Sequence, residues 1–225
     1  MLRRSLLLLA LSLSISHAEE TRTRIALAGD STVTDKAGWG AAFAKLLGPN
    51  AECLNFAAGG QSSKSFRDTG NWKKVLDSKP AYILIQFGHN DSHAPGRPES
   101  TDAATTYREF LRRYVDEARA AGAKPVLVTP MVRRTFAADG TLNDALLPYA
   151  EAMKAVASET KTPVIDLHAA SRALVLKQGP EGAKAFANAP GDMTHFNEAG
   201  ARAMADLVLR ELFATEPSLH AWRAK

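Results

Sequence analysis

Short apolar runs recur along this chain, separated by longer amphipathic segments, and that alternation restricts the fold more than any other feature of the sequence. "RIALAG", "ECLNFA", "YILIQFG", "KPVLVTP" and "TPVIDL" read as strands. "YILIQFG", Tyr82 to Gly88, is apolar without alternation, as expected of a strand covered on both faces. "WGAAFAKLLG", "AATTYREFLRRYVDEARAAG", "DALLPYAEAMKAVASET", "HAASRALVLKQG" and "NEAGARAMADLVLRELFA" read as helices. Gly48 and Pro49 end the first, Thr101 or Asp102 caps the second, and Pro148 is tolerable only in the first turns of the third. Strand–helix alternation predicts one α/β domain, a three-layer α/β/α sandwich around a central parallel sheet of about five strands.

The first residues stand apart from this pattern. "MLRR" is a positive start, "SLLLLALSLSI" an apolar stretch too short to span a bilayer, and "SHA" a small-residue cleavage site. Residues 1–18 read as a secretory signal peptide and 19–225 as a single catalytic domain, which predicts a secreted or periplasmic protein free of the membrane after cleavage. Loss of Arg3 and Arg4 lowers the formal charge from +4 to about +2. With no long Lys/Arg run left, nucleic acid is not an expected partner. The single cysteine, Cys53, precludes an internal disulfide, so the core must supply the stability.

Parallel sheets carry their sites at the carboxyl ends of the strands. The first strand ends in "GDST", the second in "AAGGQSS", the third in "GHND" and the fourth in "TPMVRR". A helix cap explains one such cluster but not four. Ser31, in "GDST", is a candidate nucleophile, and it needs a base and a group to orient that base. His17 leaves with the leader, His220 lies in the tail, and Asp166 and His168 begin a helix where capping is the expected role. His195, in "GDMTHFNEAG", follows Asp192 by three residues, a spacing that one tight turn converts into a carboxylate–imidazole hydrogen bond. Donors for a developing oxyanion are available from the Ser31 N–H, from a glycine in "AAGG" and from the Asn90 amide. Taken singly, Gly60 reads equally as a turn residue and Asn90 as an Asx turn.

Together, "GDST", "NFAAGGQSSKSF", "QFGHND" and "DMTHF" resemble the four sequence blocks of the SGNH (GDSL-like) hydrolase superfamily, whose fold is a flavodoxin-like α/β/α sandwich. "GDSTVTD", "SSKSFRDTGNWKKVL", "PVLVTPMVRRTF" and "DMTHFNEAGA" extend the resemblance to its rhamnogalacturonan acetylesterase branch, from about Ile25 to about Leu212. The resemblance implies Ser31 as nucleophile on a turn into the next helix, Ser31, Gly60 and Asn90 as the oxyanion hole, and Asp192 and His195 as the rest of the triad. Gly59 adjoins Gly60, and "DALLP" before Tyr149 departs from the His-Gly of that branch.

The function expected is removal of acetyl groups from a plant cell-wall polysaccharide of pectin type, through an acetyl-Ser31 intermediate and with no metal or organic cofactor. Arg133 and Arg134, at the site edge, are candidates to pair with galacturonate carboxylates, with two solvated surface charges as the plainer reading. The nearest alternative is a lipase or lysophospholipase of the same superfamily. A metal-dependent phosphoesterase would draw on "HNDSH" and Asp30, and a binding module would have lost its chemistry. The oligomeric state is not legible in the sequence.

Overall fold

Strands β1 (Thr23–Gly29), β2 (Ala51–Asn55), β3 (Tyr82–Gln86), β4 (Lys124–Val128) and β5 (Val164–Ile165) form one parallel sheet in the order β2-β1-β3-β4-β5. The computed structural model describes residues 22–224, so the expected signal peptide, residues 1–18, lies outside the described residues. The helices are α1 (Gly40–Leu46), α2 (Ser65–Asp68), α3 (Asn71–Asp77), α4 (Thr106–Ala120), α5 (Leu147–Thr160), α6 (Leu167–Lys184) and α7 (Glu198–Thr215), with a 3-10 turn at Pro217–Trp222. No described helix is long and apolar enough to cross a membrane.

Strand alternation distributes the side chains between two cores. Ile25 and Leu27 of β1, Tyr82 and Leu84 of β3, and Val126 and Val128 of β4 pack with Phe43 of α1 and Met204, Val208 and Leu212 of α7. Ala26, Ala28, Ile83, Ile85 and Leu127 point the other way, against Leu111 and Val115 of α4 and Met153 and Val156 of α5. Both faces of the central strands are therefore apolar, which is why β3 reads as a continuous run. Strand order reverses between β1 and β3, and the crevice beyond their carboxyl ends is where this topology holds a ligand.

Several expectations are corrected in detail. Helix α4 begins at Thr106, because Asp102 caps the preceding turn, its Oδ1 accepting from the N–H groups of Ala104 and Thr105 at 3.0 Å each. Strand β5 is only two residues long, since Asp166 at once caps α6 by accepting from Ala169 N–H at 3.0 Å. "SSKSFRDTGNWKKVL" folds into the short helices α2 and α3. No helix follows β1 directly: residues 30–39 run as turns before α1. Cys53 is a free, partly buried thiol whose pKa burial and the Asp35 charge push up to about 12, so it is an inert packing residue.

The turns after β1 are held by a return of the chain onto itself. Trp39 N–H donates to Thr32 O at 3.0 Å and Gly38 N–H to Thr34 O at 3.0 Å. A β-carbon on Gly38 would lie 2.2 Å from the carbonyl carbon of Thr32 and 2.3 Å from its oxygen, so only glycine permits this approach. Gly38→Ala is expected to destabilise the fold by about 1–3 kcal/mol, the usual range for overpacking, and to lower the melting temperature by about 3–10 °C. An unchanged melting temperature would show that the turns are not packed this tightly.

Candidate active site

The site begins with a buried carboxylate. Asp30 is 0% exposed, and its Oδ1 accepts from Thr32 N–H at 2.9 Å and Thr32 Oγ1 at 2.7 Å. Gln86, the last residue of β3, donates from Nε2 to Thr32 Oγ1 at 2.8 Å and accepts from Trp39 Nε1 at 2.9 Å. Ser31 is thus carried between two immobilised neighbours, with its hydroxyl facing outward. Burial pushes the Asp30 carboxyl up, but the facing His89 and the Thr32 donors outweigh it and hold the group below the ordinary carboxylate range.

Ser31 Oγ lies 2.8 Å from His195 Nε2, across 164 residues of sequence. The other ring nitrogen, Nδ1, is 3.0 Å from Asp192 Oδ2. An ionised carboxylate only accepts, so Nδ1 carries the proton and Nε2 accepts from the serine hydroxyl. Asp192 Oδ1 closes the expected tight turn by accepting from the N–H groups of Thr194 at 2.9 Å and His195 at 2.8 Å. Burial pushes the Asp192 carboxyl up, and those N–H groups with the imidazole more than offset it, keeping Asp192 ionised at neutral pH. The His195 side chain is 33% exposed, so the serine–histidine pair opens to solvent.

Gly60 and Asn90 stand on neighbouring loops. Gln61 N–H donates to Ala58 O at 3.4 Å, and Gly60 occupies the third position of that turn with φ 74°, a left-handed conformation suited to glycine. Gly59, its neighbour, is the closer to the serine side chain: a β-carbon there would lie 3.9 Å from Ser31 Cβ. Asn90 Nδ2 donates to Gln61 O at 2.8 Å, a bond between loops in place of the Asx turn considered for it. One amide hydrogen is thereby used and the second remains available.

Asp91, next in the chain, was not singled out by the sequence, although it belongs to the "GHND" block. Its carboxylate is 0% exposed and accepts from Ser63 N–H at 3.1 Å, from Ser63 Oγ, and from Thr101 Oγ1 at 2.9 Å. Tyr149 Oη donates to Asp91 O at 3.0 Å and Thr101 O at 2.6 Å, and Tyr114 Oη to Ser63 O at 2.8 Å. This network ties the Gly60 loop to the Asn90 loop. Burial pushes the Asp91 carboxyl up to about 6 against the donors of Ser63 and Thr101.

The two arginines differ from each other. Arg134 is 2% exposed, donating from Nη2 to Asp192 O at 2.8 Å and His195 O at 2.7 Å, with Phe196 stacked 4.6 Å from the guanidinium. It is neither a surface charge nor open to a substrate carboxylate; it props the Asp192–His195 loop from beneath. Arg133, half-buried, donates to His89 O and Thr194 Oγ1. The histidines of "HNDSH" part company: His89 is buried with Nδ1 3.5 Å from Asp30 Oδ2, whereas His93 pairs with Glu99 at 2.6 Å. Among the described residues no three His, Cys, Asp or Glu side chains converge as a metal site. Asp144 of "DALLP" binds His168 at 2.7 Å and Arg172 at 3.1 Å, away from the serine. A groove of about 890 Å³ between α1 and α7 is lined by Lys36, Lys45, Phe196 and Arg202, and neither Ser31 nor His195 lines it.

The model of the GDSL-like lipase/acylhydrolase family matches residues 25–203. A rhamnogalacturonan acetylesterase of Bacillus subtilis is 39% identical over 206 residues, covering 82% of this chain and 87% of that protein. A second protein of Bacillus subtilis, named a probable rhamnogalacturonan acetylesterase, is 36% identical over 83% of this chain and 90% of its own length. Among solved structures, a longer Bacillus subtilis protein superposes with a TM-score of 0.76 at 30% identity, over 90% of this chain and 58% of that one. An acetylxylan esterase of Geobacillus stearothermophilus shares the fold, with a TM-score of 0.68 at 20% identity over 84% of this chain and 94% of its own.

Asp91 gives the site a measurable pH signature. Its folded pKa of about 6 stands above the ordinary 3.8, so the folded state holds this proton more tightly than the unfolded one. The contribution favours folding below about pH 4 and is lost as pH rises through about 6. Asp91→Asn removes that dependence. Relative to Asp91→Asn, the wild type is expected to lose up to about 3 kcal/mol of unfolding free energy between pH 4 and 6.5, read by urea denaturation. A constant difference between the two proteins across that range would contradict the assignment.

Proposed function

The chain belongs to the GDSL-like lipase/acylhydrolase family, and from that premise we propose that it is a serine esterase that removes acetyl groups from a plant cell-wall polysaccharide of rhamnogalacturonan or pectin type. The observation that carries the reading is one imidazole held on both nitrogens, by Asp192 at 3.0 Å and by Ser31 Oγ at 2.8 Å. Ser31 Oγ attacks the acetyl carbonyl while its proton passes to His195 Nε2. The tetrahedral oxyanion accepts hydrogen bonds from the Ser31 N–H, the Gly60 N–H and the free hydrogen of Asn90 Nδ2. Collapse expels the sugar oxygen, which takes the proton from His195, and leaves acetyl-Ser31. Water then repeats the sequence, giving its proton to His195 and releasing acetate as Ser31 recovers a proton. Asp192 stays ionised throughout and fixes the tautomer.

The substrate class rests on the names of the two Bacillus subtilis relatives and on the length of chain they share with this one. Residues 1–18 have the make-up of a cleaved leader, so the enzyme acts outside the cytoplasm, secreted or periplasmic, as one domain from residue 19. Acetate release from acetylated rhamnogalacturonan, pectin and xylan tests the assignment. Release is expected from the first two, and Ser31→Ala should abolish it while leaving the melting temperature nearly unchanged. A preference for long-chain acyl esters would favour a lipase instead.

Asn90 separates this mechanism from a generic serine hydrolase. Its amide meets the oxyanion only as charge develops, so Asn90→Ala is expected to lower kcat by roughly 10²–10³ with little change in KM. Asn90→Asp should be at least as impaired, since a carboxylate offers no donor, repels the oxyanion and opposes the Gln61 carbonyl. An active Asn90→Asp enzyme would remove Asn90 from the mechanism.

A further inference from the structure

Arg133 links the two walls of the site. From its position after β4, Nη2 donates to His89 O at 3.0 Å on the loop that carries Asn90, and Nη1 donates to Thr194 Oγ1 on the loop that carries His195. Its neighbour Arg134 takes the opposite side, with backbone N–H to Met193 O at 2.9 Å and its guanidinium on Asp192 O and His195 O. Arg134 therefore braces one loop, whereas Arg133 spans both. Burial pulls the Arg133 pKa down, and the charges of Asp30 and Asp192 oppose that.

We propose that Arg133 is a positioning residue for the esterase reaction, a two-pronged latch that sets the spacing between the oxyanion donor Asn90 and the base His195, rather than a clamp for substrate carboxylates. The inference rests on the esterase reading above. A guanidinium suits this task because two nitrogens of one rigid plane reach two acceptors at once. A lysine keeps the charge but offers a single nitrogen, which can serve His89 O or Thr194 Oγ1 but not hold both in that geometry. Misplacement of catalytic groups by about 1 Å is enough to cost up to 10²-fold in rate, so the latch acts through kcat.

The test compares Arg133→Lys, Thr194→Val and the double variant on three substrates: a small neutral acetyl ester, acetylated xylan and acetylated pectin. The expected result is a loss of kcat of about tenfold or more in Arg133→Lys on all three, with KM within about twofold. Thr194→Val should lose kcat as well, and the double variant should be no worse than Arg133→Lys, because both changes break the same bridge. Amide hydrogen exchange gives a readout independent of turnover: in Arg133→Lys, residues 88–93 and 192–195 should lose protection together while α4 does not. The latch is overturned if KM rises for acidic pectin alone, if the two single effects multiply in full, or if only one loop loosens. A wild type inert toward every ester would sink the esterase reading instead, and the paired exchange of the two loops would still decide the latch.

Discussion

A carboxylate with no exposure to solvent sits at the end of β1, and the arrangement of the site follows from how that charge is accommodated. An isolated ionised carboxylate in a protein interior costs several kcal/mol unless donors surround it. Asp30 obtains two from Thr32, at 2.9 and 2.7 Å, and faces His89 at 3.5 Å. The Thr32 hydroxyl, having given its proton to Asp30, accepts from Gln86, and Gln86 accepts from Trp39. That chain crosses from β1 to β3 and on to the start of α1, with every member fully buried. Breaking any link strands a buried donor or acceptor, so the turn bearing Ser31 has one conformation that satisfies the network.

Asp91 shows the same physics with the opposite outcome. It is as buried as Asp30, and it also accepts from a serine and a threonine. No histidine faces it, however, and the Asp30 charge repels it, so desolvation prevails and its pKa rises to about 6. Two carboxylates at equal depth on adjacent strand ends are thus separated by their partners, not by their burial. The one with the lowered pKa lies beside Ser31. The other, whose acceptor oxygens hold Ser63 and Thr101, serves as a hub joining the Gly60 and Asn90 loops.

The sequence made the sheet legible because continuous apolar runs and strand alternation are local properties, and the two faces of β1, β3 and β4 sort as alternation requires. The polar blocks at the strand ends were equally legible, since a parallel sheet gathers them at one edge. Less visible were features decided by tertiary contact. "RR" at 133–134 has no local mark of burial, yet one guanidinium lies beneath the His195 loop and the other bridges two loops. Gln86 reads as the polar end of an apolar strand, and only the meeting of Trp39 and Thr32 on either side gives it a function. Helices α2 and α3, of four and seven residues, are too short for a periodic pattern to declare itself.

The same division between local and tertiary runs through the proposed triad. The Asp192–His195 pair is a local structure, closed within one turn by two backbone N–H groups and an imidazole, and its spacing was readable in "DMTH". The contact between His195 and Ser31 is entirely tertiary. It depends on where the loop as a whole is hung: Phe196 N–H on Ala37 O at 3.0 Å, Arg134 N–H on Met193 O at 2.9 Å, and Asn197 capping α7 through Gly200 N–H at 3.0 Å. Ala37 belongs to the same run of turns that carries Ser31, so the histidine loop is fastened to the segment it must serve. Arg133 adds a tie to the Asn90 wall: its guanidinium donates to His89 O and Thr194 Oγ1, so the base and the oxyanion donor are joined through one rigid plane.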